Sequence, residues 1–172
     1  MLDDDRRTVG WVASVMSVSP VAPRMPQIGQ SAPAFNLQNH DGESVSLAEF
    51  EGQRVVLYFY PKAGTEGCTV EANDFGDAFE DFERRDVQIL GVSMDPVADL
   101  ADFRDDESIP FPLLSDEDGT VAEQYDAAGD GTALRNTVVI GPDGDVEAVY
   151  EDVSPDGHAE RVLDDIADRE AA

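Results

Sequence analysis

The chain has a single cysteine, Cys68, within the run Tyr60-Pro61-Lys62-Ala63-Gly64-Thr65-Glu66-Gly67-Cys68-Thr69-Val70-Glu71. An apolar stretch precedes this run and residues with helical spacing follow it, so it reads as a strand, a glycine-containing loop and the start of a helix. A thiol in a first helical turn meets unpaired N–H groups and the positive end of the helix dipole, both of which favour an anion. The thiolate is the reactive form of cysteine, and a cationic neighbour favours it further. The competing reading is a buried structural thiol, the commonest fate of a lone cysteine. Placement at the carboxyl end of a strand argues against it, because open α/β sheets gather their sites there. A Cys-His hydrolase would need His40 or His158, but these fall in a hairpin turn and a polar segment, where surface histidines are expected. One cysteine excludes an internal disulfide, a Cys-based zinc cluster and a Cys-x-x-Cys reductase. No clustered metal ligands are evident, and Gly141 and Gly144 mark a turn with no phosphate-loop pattern.

The elements that must hold Cys68 follow from the patterning. Residues 35–38 and 44–46 flank Asn39-His40-Asp41-Gly42, a hairpin signal, and a helical turn fits 47–50. Residues 54–60 form an almost wholly apolar run ended by Pro61, which predicts a strand buried on both faces. Val70, Phe75, Ala78, Phe79 and Phe82 recur at three- and four-residue spacing and predict one amphipathic helix of roughly fifteen residues. Residues 87–93 predict a second buried strand. A helix over 96–106 with Pro96 at its first position follows, then a brief extended piece at Leu113-Leu114 and a short helix over 120–125. A second hairpin spans 133–140 and 145–150 around Gly141-Pro142-Asp143-Gly144, and Val162, Leu163, Ile166 and Ala167 stripe a last helix. A hairpin, a β-α-β-α segment, a second hairpin and a closing helix make a thioredoxin-like α/β fold, with a mixed sheet flanked by helices.

The spacing Pro61-x-x-x-Thr65-x-x-Cys68 resembles the active-site pattern of the peroxiredoxins. The flanks, namely Asp41-Gly42-Glu43, Tyr58-Phe59-Tyr60-Pro61-Lys62, Gly67-Cys68-Thr69, Gly91-Val92-Ser93 and Arg135-Asn136-Thr137, are similar to its bacterioferritin comigratory protein, or peroxiredoxin Q, branch. The resemblance runs from about Ala32 to the C-terminus. It implies that Cys68 attacks a peroxide oxygen and becomes a sulfenic acid, and that Thr65 presents its hydroxyl to thiolate and peroxide. It further implies that Pro61 helps to wall the site from water, and that Arg135 holds the thiolate and polarises the O–O bond. Without the resemblance Pro61 simply ends a strand and Arg135 is a solvated surface residue. Two positions depart from the branch. A resolving cysteine often lies five residues after the reactive one, where this chain has Asn73, so the resemblance implies a one-cysteine cycle served by an external thiol, either a thioredoxin-like protein or a small thiol. Glu66 stands where proline is usual and should oppose a neighbouring thiolate, while Glu71 is expected in the first helical turn. No cofactor or metal is implied. A non-catalytic redox-sensing or holdase module on the same fold is the alternative.

At 172 residues the chain is the size of one domain. It carries 38 Asp and Glu against 11 Lys and Arg, only one of them lysine, and a formal net charge of −27. Such a surface repels nucleic acid and anionic membranes, and no apolar run is long enough to span a bilayer. Dispersed acidic charge with lysine nearly absent suggests work in molar salt, as in a halophile, where screening shortens to about 3 Å. A disordered acidic chain would lack runs such as Val55-Val56-Leu57-Tyr58-Phe59-Tyr60. Residues 1–24 read as an extension before a start at Met25, a flexible tail or, least well, an export signal around Arg6-Arg7; residues 25–172 read as the domain. The resemblance implies a monomer or weak dimer, and a cytoplasmic location is expected.

Overall fold

In the computed structural model, residues 27–129, 131–155 and 157–171 are described, and the expectations for residues 1–24 lie outside them. Among the described residues seven strands form one mixed sheet, in the order β2 (Ser44–Ser46), β1 (Asn36–Asn39), β5 (Leu113–Ser115), β4 (Val87–Ser93), β3 (Arg54–Phe59), β6 (Thr137–Ile140) and β7 (Val146–Tyr150). Strand β3 (Arg54–Phe59) lies in its interior, parallel to β4 (Val87–Ser93) and antiparallel to β6 (Thr137–Ile140). Its apolar run is continuous because both faces are covered. Val56, Tyr58 and Tyr60 enter one core, and Val55, Leu57 and Phe59 enter the other. Each such side chain contributes roughly 1.5–3 kcal/mol by leaving water. Tyr58 pairs with Gly91 across the parallel ladder, and a Cβ at Gly91 would lie 2.9 Å from the Tyr58 phenol, so the ring needs glycine there.

The first core is closed by α1 (Glu66–Asp77), α2 (Phe79–Arg84), α3 (Val97–Glu107) and α5 (His158–Ala171). The second lies under α4 (Thr120–Gln124) and the hairpin of β1 (Asn36–Asn39) and β2 (Ser44–Ser46). Strand β5 (Leu113–Ser115) runs parallel to β4 and antiparallel to β1, and β7 (Val146–Tyr150) closes the other edge on β6. Both predicted hairpin turns form, with Gly42 and Gly144 in the left-handed region at φ 80° and 88°. A 3-10 turn covers Leu47–Phe50 as expected.

The structure corrects several sequence expectations. The single long helix is two, broken at Ala78. Val70, placed on the apolar stripe, is 36% exposed, and the inward face of α1 is instead Cys68, Glu71, Ala72 and Phe75. The expected strand over 133–140 is shorter, Thr137–Ile140, with Ala133 in an isolated bridge to Ala128, and Pro96 caps α3 rather than opening it. Neither histidine is a surface residue. His40 packs at the hairpin end, where its Nδ1 accepts from the Leu113 N–H at 3.5 Å. His158 sits at the start of α5, with Nε2 2.8 Å from Thr137 Oγ1 and its ring edge-on to Phe75 and Tyr150.

Burial, aided by Arg161 and Arg135, lowers His158 from 6.5 to about 4. Between those values the unfolded chain takes up a proton that the native chain refuses, so this residue makes stability fall as pH falls. In urea titrations the stability advantage of the wild type over His158→Phe is expected to shrink between pH 7.5 and pH 4.5. An unchanged advantage would remove the buried neutral imidazole from the account.

Candidate active site

Strand register brings three chain segments to one end of the sheet. The loop after β3 leads into α1, β4 ends beside it, and antiparallel β6 begins there, because Tyr58 pairs with Thr137. Arg135 therefore arrives just past the end of β3, despite lying 67 residues from Cys68 in sequence. Its backbone is held firmly: Val153 N–H donates to the Arg135 carbonyl at 2.9 Å, and Phe59 N–H donates to the Asn136 carbonyl at 2.7 Å.

Thr65 caps α1 with extended backbone, and Cys68 is the third helical residue. It thus lies in the first turn, whose N–H groups have no helical acceptor. The Cys68 side chain is buried, at 1% exposure, yet it is not an isolated core thiol. Arg135 Nη2 donates toward Cys68 Sγ at 3.6 Å, and Arg135 Nη1 donates to Glu71 Oε1 at 2.9 Å. The guanidinium fork spans sulfur and carboxylate, a task its planar geometry suits. Arg135 is therefore not a solvated surface residue.

Glu71 lies in the second turn of α1, not the first, and is wholly buried. Burial raises its carboxyl to about 7 against the pull of Arg135. Burial also works against the Arg135 charge, but Cys68 and then Glu71 more than offset it and hold that charge above its ordinary range. The two shifts agree physically, because the carboxyl is fully enclosed while the guanidinium keeps part of its surface in water. Glu66 is the acidic residue of the first turn and is exposed.

The other two predicted site residues are placed differently. Thr65 Oγ1 donates to the Lys62 carbonyl at 2.9 Å, so its one proton is committed to the loop. Pro61 is half-buried at the mouth of the loop, directly after Tyr60, whose N–H donates to the Val92 carbonyl at 3.0 Å. Sequence reasoning assigned no task to Gly67, whose missing side chain makes room for Arg135. A Cβ there would lie 2.9 Å from Arg135 Nη2 and 3.7 Å from Pro155 Cγ. The signal was a glycine in a helical first turn, where it costs about 1 kcal/mol relative to alanine without such a reason. Among the described residues no group of His, Cys, Asp and Glu could hold a metal ion, and no helix is long and apolar enough to cross a membrane.

Gly67→Ala is expected to push the guanidinium off the sulfur. Alkylation of Cys68 by iodoacetamide at pH 7 should slow about tenfold, while the urea midpoint holds or rises with the gain in helix propensity. Unchanged alkylation would show that the close contact is dispensable.

The model of the AhpC/TSA family matches residues 28–149. Peroxiredoxin Bcp of Escherichia coli is 41% identical over 132 residues, covering 72% of this chain and 85% of that protein. A putative peroxiredoxin of Mycobacterium tuberculosis is 41% identical over 133 residues, covering 73% and 85%. Among solved structures, peroxidoxin BcpB of Mycobacterium tuberculosis superposes with a TM-score of 0.79 at 35% identity, covering 84% of this chain and 98% of that one. The bacterioferritin comigratory protein of Xanthomonas campestris, whose structures bear on alkyl peroxide reduction, gives 0.78 at 30% identity and covers 83% and 99%. With a thioredoxin-like mixed sheet and a lone cysteine held against an arginine, the chain belongs to the AhpC/TSA family and is a peroxiredoxin of the bacterioferritin comigratory protein, or peroxiredoxin Q, branch, a thiol-dependent peroxidase.

Proposed function

We propose that Cys68 is the nucleophile that attacks hydrogen peroxide and organic hydroperoxides, and that it works in a one-cysteine cycle. The observation that carries this reading is the Arg135 fork, with one arm at 3.6 Å from Cys68 Sγ and the other on the buried Glu71. The thiolate displaces the far oxygen: an S–O bond forms, the O–O bond breaks, and the departing hydroxide or alkoxide takes a proton and leaves as water or alcohol. Sulfur gives up two electrons and the peroxide gains them. Arg135 stabilises negative charge on both the attacking sulfur and the developing oxyanion. Thr65 serves the peroxide when its hydroxyl turns from the Lys62 carbonyl, and Pro61, lacking an N–H, limits hydration of the loop.

The cycle closes through an external thiol. The chain has no second cysteine, and Asn73 occupies the position five residues after Cys68, where it donates to Glu107 at 3.1 Å. An incoming thiol forms a disulfide with the oxidised sulfur and releases water. A second thiol then restores the Cys68 thiolate and leaves with the first as a disulfide. The acidic balance, 38 residues against 11, supports work in the cytoplasm at molar salt and argues against nucleic acid as a partner.

Mass spectrometry of peroxide-treated protein is expected to find one added oxygen on Cys68, replaced by a thiol adduct when a small thiol or a redoxin is supplied, and Cys68→Ser should abolish peroxide consumption. Turnover that survives in Cys68→Ser would refute the assignment. Arg135→Lys keeps the charge but loses the fork, and the second-order rate with hydrogen peroxide should fall about a hundredfold in stopped-flow measurements. A loss below about threefold would take the guanidinium out of the chemistry.

A further inference from the structure

Asp95 lies two residues beyond the end of β4, at the same end of the sheet as Cys68, and is 8% exposed. Its carboxylate faces the loop between β3 and α1: Ala63 N–H donates to Asp95 Oδ2 at 2.7 Å. Ser93 Oγ donates to the same oxygen at 2.8 Å, and Asp95 N–H donates back to Ser93 Oγ at 3.3 Å. Ser115 Oγ, at the end of β5, donates to the Asp95 carbonyl at 2.6 Å. Backbone and side chain are both clamped to the rigid ends of two central strands, so the carboxylate is a fixed anchor for a loop that has few anchors of its own.

Within that loop, Gly64 has φ 84° and Thr65 closes a turn onto the Lys62 carbonyl through both its N–H, at 3.5 Å, and its hydroxyl, at 2.9 Å. Ala63 stands at the middle of the turn that carries Pro61 and Thr65 and sets where α1 begins. A carboxylate accepting a backbone N–H makes a charge-assisted bond, about twice as strong as a neutral one, and the burial of Asp95 preserves that strength. Sheet and loop are joined there by a bond that a side chain without an acceptor oxygen would lose.

From this geometry we infer that Asp95 is a positioning residue for peroxide reduction. Through the Ala63 N–H it fixes the Pro61–Thr65 turn against β4, so that the turn and the first residues of α1 meet the peroxide while Arg135 independently prepares the sulfur. The inference rests on Cys68 being the peroxide-attacking residue. Displacing a positioning element by about 1 Å can cost as much as a hundredfold in rate.

The test separates reaction with peroxide from simple thiol reactivity in the full-length chain. In Asp95→Ala the stopped-flow rate with hydrogen peroxide should fall about thirtyfold, while iodoacetamide alkylation of Cys68, which needs Arg135 but no peroxide geometry, stays within about threefold. Asp95→Asn keeps an oxygen to accept the Ala63 N–H and should recover to within about threefold of wild type. Equal losses in both reactions, no loss, or an asparagine variant as slow as alanine would overturn the inference. Should Asp95→Ala fail to fold, Ser93→Ala frees the carboxylate without removing it. A three- to tenfold loss toward peroxide alone is then expected, and none would overturn the inference. Failure here leaves Cys68 in its role, whereas peroxide turnover by Cys68→Ser would remove that role itself.

Discussion

The site depends on one buried contact, the ion pair between Arg135 and Glu71 beneath the sulfur. Burying a carboxylate costs several kcal/mol unless its partners compensate, and here only Oε1 is engaged while Oε2 has no partner among the described residues. Tyr58 adds another buried hydroxyl without a partner among the described residues in the same core. A fold optimised only for stability would fill this space with apolar groups. What the arrangement secures is direction: a guanidinium pulled by a fixed carboxylate has its second arm left for Cys68.

That contact sets demands on everything around it. Cys68 and Glu71 are three residues apart, so they share a face of α1, and the helix must turn that face inward with Ala72 and Phe75. The antiparallel register of β3 and β6 must bring Arg135 to the end of β3, and Gly67 must leave the gap through which it reaches the sulfur. Helix phase, strand register and one missing side chain thus converge on a single guanidinium. The parallel register of β3 and β4 adds Asp95 on the opposite flank of the same loop.

Much of this was legible in sequence. The apolar run at 54–60 announced the central strand, Asp-Gly pairs announced both hairpins, and the segment around Cys68 announced a strand, a loop and a helix. What escaped was set by partners distant in the chain. The stripe on α1 was misphased because Val70 is apolar and Glu71 is charged, yet only Glu71 meets Arg135, and hydrophobicity alone takes no account of a buried ion pair. The break at Ala78 lies where the helix passes Pro110, which would approach a Cβ at Gly76 to 3.4 Å, a contact invisible locally. His158 looked solvated in a polar segment but finds Thr137 across the fold, and Asp95 was one acid among many until Ala63 was found opposite.

The nearly complete enclosure of Cys68 divides its possible visitors by bulk. A small reagent needs only a narrow gap beside the helix, whereas a bulky one, another protein included, is held off the sulfur while α1 stays folded over it. The resting sulfur is thereby shielded from stray protein disulfides in its surroundings.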